Sequence, residues 1–316
     1  MEQTRRRFLT ASAVLGTGAV AGCSTVTDAV PFIGGGGLGD YQQWLYPADQ
    51  FDQNADTLAF DGTDQQGIYD NRESFSPNTY RSLEASYGTL GLTGRSVSMD
   101  LGLPEGRVLA GSYQTSEVAA ELEDDTNTEY ESDGSYAGYE LYVPSNQSTA
   151  RDAVALSDSA IVVGQRVEPG FGDDWDAASA TDVVEGIVDT GSGNATRAVD
   201  DNDDVSVLVN ALNSGTSVNG STRNDDVSSG RANPESGIFE GQVASGQSWS
   251  VDGETTSRQW AFVFDSESDV DTGDLEDWVE ANDTGGVFTR TRNEEVSQNG
   301  RAGVVAAELD TYNLFR

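Results

Sequence analysis

Lysine and histidine are absent from this 316-residue chain, and cysteine occurs once, as Cys23. Without histidine or lysine there is no Ser-His-Asp or Cys-His nucleophile system, no Schiff base and no P-loop lysine. One thiol without imidazole also excludes a conventional zinc site. Hydrophobic residues, at 36%, run below the usual share of a soluble globular chain. What the chain has instead is acid: 54 Asp and Glu against 17 arginines, a formal net charge of −37.

The charge is spread along the chain and 9% of residues are aromatic, whereas a disordered acidic protein carries few aromatics. Repulsion of this size destabilises a compact body in dilute buffer. In molar salt the Debye length falls to about 3 Å and the repulsion is nearly abolished. Trading lysine for Asp and Glu also removes long aliphatic stems from a surface on which salt strengthens hydrophobic association. The composition resembles that of extremely halophilic archaeal proteins. The same charge argues against nucleic acid as a partner, because phosphate binding needs clustered basic residues.

Residues 1–22 read as an export signal, to be set aside from the fold. Its apolar stretch, Phe8 to Gly22, is interrupted by Gly16, Gly18, Ser and Thr. It is shorter than the roughly 20 residues a permanent bilayer-spanning helix needs. Thr4-Arg5-Arg6-Arg7-Phe8-Leu9 resembles a twin-arginine signal through Arg5, Arg6, Phe8 and Leu9. Ala21-Gly22-Cys23 is similar to the lipobox of secreted lipoproteins. The resemblance implies a folded export route, cleavage before Cys23 and a lipid on its thiol, hence a membrane partner on the extracytoplasmic face. Removing Glu2 and the three leader arginines leaves 53 acids and 14 arginines, a net of −39. Residues 23–40, with Gly34 to Gly37, read as a flexible tether.

From Tyr41 on, strand-length and helix-length patterns alternate. Strands are predicted at 57–60, 95–101, 107–113, 153–156 and 160–163, and a hairpin of 129–132 with 136–143 turning at Asp133-Gly134. Helices are predicted from Ser76-Pro77 with an apolar face of Tyr80, Leu83 and Tyr87, over 115–123, and over 181–189 with Gly191 ending it. Residues 205–212 fit strand or helix equally. Residues 213–234, rich in Ser, Gly, Asn and Asp, read as an exposed loop or linker between a domain at 41–212 and a C-terminal portion at 235–316. That portion reads as strands at 237–243, 259–264, 287–292 and 302–309 with a helix at 273–282. Acids followed by apolar residues at Glu117, Asp182 and Asp274 fit two readings: the acid that any helix start favours near its positive end, or a repeated strand-helix-strand-strand-helix-strand unit over about 56–132 and 159–309. The expected class is α+β, antiparallel sheets with helices on one face, and on the second reading the repeat builds two ferredoxin-like (βαββαβ) units.

No catalytic residue stands out, since any two of 53 carboxylates can be nominated for a glycosidase pair. No cofactor or metal site is expected; the nearest approach to one is a calcium-like spacing at Asp200-Asp201-Asn202-Asp203-Asp204 and at Asp265, Glu267, Asp269 and Glu276. Val205 and Val270 stand where an EF-hand-like loop needs glycine. Asn146, Asn194, Asn219 and Asn282 begin sequons for glycosylation. Trp175, in a loop of glycines and acids, suits sugar stacking. The expected function is a lipid-anchored, non-enzymatic surface module. The alternatives are an extracellular carboxylate-dependent glycoside hydrolase and the solute-binding lipoprotein of a transporter.

Overall fold

Twelve strands form one antiparallel sheet in the computed structural model, which describes residues 38–87, 90–124, 128–145, 152–168, 178–212, 214–284 and 286–314. The strands are β1 (Ala59–Thr63), β4 (Val97–Leu103), β5 (Gly106–Gly111), β6 (Tyr130–Tyr136), β7 (Tyr139–Pro144), β8 (Asp152–Leu156), β9 (Ala160–Gln165), β10 (Ser217–Thr222), β11 (Gln242–Asp252), β12 (Thr255–Phe264), β13 (Arg292–Asn299) and β14 (Ala302–Asp310). A separate short pair is β2 (Ser86–Tyr87) with β3 (Leu92–Thr93). The helices are α1 (Gln65–Asp70), α2 (Pro77–Leu83), α3 (Thr115–Glu123), α4 (Ala180–Ser192), α5 (Ala198–Asp201), α6 (Asp203–Ala211) and α7 (Thr272–Asn282). Across the sheet the order is β13-β14-β12-β11-β10-β1-β4-β5-β9-β8-β7-β6.

The α+β class holds, with helices on both faces rather than one, because alternate side chains of the inner strands are apolar on both sides. On β12, Ala261 and Val263 join the core of the first face while Trp260, Phe262 and Phe264 join another on the second. The first face is covered by α4, α6 and the segment Leu38 to Phe60, in one large core. The second carries three smaller cores: α3 with Tyr87 and Tyr130, α7 with Trp260 and Phe288, and the α1–α2 corner with Trp249 and Leu309. The described residues, from Leu38 to Leu314, belong to one compact unit.

The two halves share a path that is not βαββαβ. Each runs as a three-strand meander, a helix on the second face, then strands returning from the sheet edge to the third strand. One half is β1-β4-β5, α3, β6 to β9; the other is β10-β11-β12, α7, β13-β14. Antiparallel pairing of β1 with β10 relates the halves by a two-fold in topology. The helix starts at Glu117 and Asp274 mark equivalent helices. Asp182 belongs to α4, on the other face and without a counterpart.

Local rules explain most elements. Ser76 accepts the Thr79 N–H at 3.2 Å and Pro77 opens α2, although the helix stops at Leu83 and Tyr87 lies in β2. Ser179 and Asp182 form a capping box at α4, which runs past Gly191 to Ser192 and ends at Gly193, φ 78°. The hairpin turns at Ala137-Gly138, both with positive φ as a two-residue primed turn requires, and not at Asp133-Gly134. That pair sits inside β6 at a register shift between Ser132 and Ser135. Residues 205–212 fall almost wholly in α6, capped by Asn202. The expected linker at 213–234 contains β10, paired with β1 and β11 near the middle of the sheet. Its small residues let α6 settle on the sheet: a Cβ at Gly220 would stand 2.6 Å from the Phe60 ring and 2.9 Å from Leu208. The strand expected at 237–243 begins at Gln242, and that at 287–292 begins at Arg292, where Phe288 is instead buried against Trp260.

Under the β4–β5 turn, Tyr46 donates to Glu105 Oε2 at 2.5 Å and accepts the Glu105 N–H at 3.1 Å. Burial pushes the Glu105 carboxyl above its usual range, Asp52 adds to the rise, and the Tyr46 hydrogen bond opposes it. A carboxyl whose folded pKa is raised favours the fold fully below its unfolded pKa and loses that contribution as pH rises through the folded value. Glu105→Gln keeps an acceptor for Tyr46 and cannot ionise. Urea unfolding in molar salt is expected to find the variant more stable than the parent at neutral pH, with the advantage gone near about pH 4.

Candidate functional site

Between the three cores of the second face lies a strip of sheet that no helix among the described residues covers. Its floor is a row of directly opposed residues on consecutive strands: Arg107 (β5), Gly102 (β4), Asp61 (β1), Asn219 (β10), Gln247 (β11) and Trp260 (β12). Five inter-strand steps make the row about 24 Å long. Asp61 is exposed and Asn219 half-buried, although both sit in central strands. Such positions normally face a core, so polar side chains here mark a surface left open.

A cleft of about 570 Å³ opens on the β4–β9 side of the row, its mixed wall including Asp61, Tyr87, Arg107, Leu122, Tyr130 and Asp152. Behind its wall lies Asp100, 6% exposed, bound to two lining residues, Arg107 and Tyr87. Arg107 donates Nε to Asp100 Oδ1 at 2.6 Å and Nη2 to Oδ2, and the Tyr87 hydroxyl donates to Oδ2 at 2.6 Å. The guanidinium also stands 5.3 Å from the Tyr87 ring centroid. The hydrogen bond to Asp100 holds the Arg107 pKa above its ordinary value, and burial, with Asp100 adding to it, raises that of Tyr87. Gly102 leaves the space over which Asp61 leans toward Arg107: a Cβ there would meet Asp61 Oδ1 at 2.6 Å. On the far wall the Tyr130 hydroxyl donates to Asp152 at 2.9 Å.

A second cleft, about 420 Å³, opens on the β10–β12 side, with Asn219, Ser221, Ser245, Gln247, Trp260 and Trp278 on its walls. Gln247 accepts from Arg258 Nη2 at 3.2 Å, and the Arg258 guanidinium lies 4.8 Å from the Trp260 ring centroid. Burial lowers the Arg258 pKa.

The strip offers amide, hydroxyl and carboxylate groups for hydrogen bonding. Asp61 and Asp152 are four strands apart, about 19 Å between strand axes, against about 5–10 Å for a glycosidase pair. Asp100 is nearer to Asp61, but both its oxygens are occupied by Arg107 and Tyr87.

Of the sequon residues, Asn219 lies in the floor of the strip, and Asn194 is exposed after α4, donating to Ser192 at 3.1 Å. Asn282 donates its amide hydrogens to the Glu235 and Trp278 carbonyls, each at 2.9 Å, so it ties the end of α7 to the loop before β11. Asn146, Trp175, the Gly34–Gly37 tether, Cys23 and the signal residues Arg5, Arg6, Phe8 and Leu9 lie outside the described residues. The acids of 200–204 form the starts of α5 and α6, with Asn202 capping α6 and Asp204 paired to Arg301. In the second run, Asp269 caps the turn at Ser266, and the neighbouring Asp271 caps α7. Among the described residues no three acidic side chains converge on a metal position. Asp61, Asp100, Arg107 and Gln247 carry no motif, and only strand pairing brings them together.

No family model matches the chain and no curated protein matches it. Among solved structures it is similar to three crystal forms of TP0453. Form III is 9% identical with a TM-score of 0.44, covering 88% of this chain and 95% of that one. Form I is 9% identical with a TM-score of 0.41, covering 86% and 93%. Form IV is 8% identical with a TM-score of 0.42, covering 88% and 94%.

Asp100→Asn presents an NH₂ to two donors and is expected to cost about 1–3 kcal/mol, whereas Tyr87→Phe, which removes one donor, costs about 0.5–1.5 kcal/mol. Urea unfolding of both variants in molar salt checks the order.

Proposed function

We propose that this is a lipid-anchored protein on the extracytoplasmic face of a halophilic archaeal membrane, and that it binds a polar, uncharged ligand along the open strip without transforming it. The observation that carries the binding reading is the row from Arg107 to Gln247: residues on consecutive strands, polar apart from Gly102 and at least partly exposed, ending at the buried Trp260 of the α7 core. Its arginines are already engaged, Arg107 with Asp100 and Arg258 with Gln247, so they offer shaped hydrogen-bond donors more than free charge. Amides and hydroxyls from Asn219, Gln247, Ser221 and Ser245 suit a partner dense in hydroxyl or amide groups.

The carboxylate spacing and the occupied oxygens of Asp100 favour binding over glycoside hydrolysis. A solute-binding lipoprotein of a transporter would share the anchor, but its ligand would close between two lobes. The strip lies instead on one continuous sheet.

The anchor rests on the order Arg5-Arg6-Arg7-Phe8-Leu9, apolar stretch, Ala21-Gly22-Cys23. Among the described residues no helix is long and apolar enough to cross a membrane. Cys23→Ser is expected to move the protein from the membrane fraction to the medium in its host, and full retention would overturn the anchor. The charge reading gives a second expectation. Circular dichroism followed during dialysis from molar salt is expected to show loss of cooperative structure well below about 1 M; a folded protein in dilute buffer would overturn it.

A further inference from the structure

Arginine is scarce in the body of this protein, 14 residues against 53 acids, yet residues 65–99 hold Arg72, Arg81 and Arg95 against Asp70, Glu73 and Glu84. These 35 residues are neutral in a body of −39. The fold gathers them at one corner of the second face. There α1, α2 and the turn Gly94–Ser96 enclose a cleft of about 520 Å³, apart from the strip described above and lined by Gln65, Tyr69, Tyr80, Glu84, Thr93 and Arg95.

Two guanidinium groups share one ring: Arg72 lies 4.6 Å and Arg95 4.1 Å from the Tyr69 centroid, and Arg95 also donates to the Tyr69 hydroxyl. Among the described residues no carboxylate reaches ion-pair distance of Arg95 or Arg81, and Arg72 meets exposed Glu73 only at 3.9 Å. Gln65, 6% exposed, accepts the Ala85 N–H at 3.4 Å through its carbonyl oxygen, which leaves its amide nitrogen as a further donor on the wall. Glu84 is the one carboxylate lining the cleft, and it accepts the Tyr80 hydroxyl at 3.1 Å. With so many acids to choose from, cations held on an aromatic face without a close internal counter-ion are arranged for an external anion.

We propose that this corner binds a phosphate-ester anion, with Arg95 as the guanidinium donor lining the cleft and Gln65 as a neutral one. Arg72 holds the other contact to the Tyr69 ring and donates to the Tyr69 carbonyl at 3.1 Å. In molar salt only groups in contact discriminate, because charges beyond about 3 Å are screened. A planar guanidinium pre-set by stacking supplies the paired hydrogen bonds that a phosphate accepts and chloride cannot.

A lipid headgroup and a free ester present the same phosphate chemistry, and the two arms of the test below tell them apart.

The test uses the full chain carrying Cys23→Ser in molar salt, so that failure of the anchor leaves it intact. Titration calorimetry with glycerol 1-phosphate and flotation with phosphatidylglycerol against phosphatidylcholine vesicles are the two arms. Saturable binding of glycerol phosphate, or retention on phosphatidylglycerol alone, supports the site, and the arm that responds distinguishes a free ester from a headgroup. The Arg72→Gln/Arg95→Gln pair is expected to weaken binding at least about tenfold, the scale of one charge-assisted contact, while Arg166→Gln, an arginine paired with Glu168, leaves it unchanged. Arg95→Lys, which keeps the charge and loses the fork, is expected to weaken it several-fold and carries the test if the double variant fails to fold. Binding to neither probe, or equal binding by Arg95→Lys and its parent, overturns the proposal.

Discussion

The antiparallel pairing of β1 with β10 is the contact on which the architecture depends. Five opposed pairs, from Ala59↔Ser221 to Thr63↔Ser217, join two half-sheets into one of twelve strands. Most of those residues are small or polar, and Phe60 and Val218 supply the seam's apolar contact in the first-face core. The ladder's hydrogen bonds hold the seam, with the first-face core bridging from α4 across Leu38 and Phe60 to α6. Because each half bears its own helix on the second face, no helix among the described residues lies over the seam there, and that seam is the candidate site.

Charge is partitioned as sharply as hydrophobicity. Among the described residues only two acids are buried, Asp64 and Asp100. Asp64 accepts the Gly67 N–H at 2.7 Å as the cap of α1, and Asp100 is gripped by Arg107 and Tyr87. The other described acids stand at least partly in solvent, where concentrated salt screens them. The few arginines sit at junctions instead: Arg301 joins Asp204 of α6 to the β12–β14 edge, Arg107 pins Asp100, and Arg258 spans Gln247 and Trp260. An acidic protein without lysine thus uses several of its rare cations as structural donors, and Arg72 and Arg95 are such donors to Tyr69 while also stacking on its ring.

Sequence patterns located the elements that have one apolar side and one cap. The starts of α2, α3, α4 and α7, and the strands β5, β8, β9 and β14, follow from N-caps, apolar spacing and runs such as Ala160 to Val163. Patterns misjudged β10, β11 and β13, for different reasons. β10 is small on one face to admit α6 and polar on the other to line the strip, so it has no alternation. β11 mixes Ser, Gly and Gln for the same cause. β13 is an exposed edge, where charged residues guard the unpaired ladder. Asp133-Gly134 carries the composition of a hairpin turn, but the strand partners continue past it to Ala137-Gly138.

The sequence by itself determined what needs no partner at a distance: the acidic charge, the lack of histidine and lysine with the side-chain chemistry that needs them, and the capped helices. Only the tertiary structure decided that one sheet replaces two domains, that Asp61, Asn219 and Gln247 stand in a single row, and that Arg72 and Arg95 share a ring. Local patterns are set within a turn or two of chain, where neighbours in sequence are neighbours in space. Strand pairing joins Asp61 to Asn219, which have no sequence relation, and one residue of register either way would turn such a side chain into the opposite core.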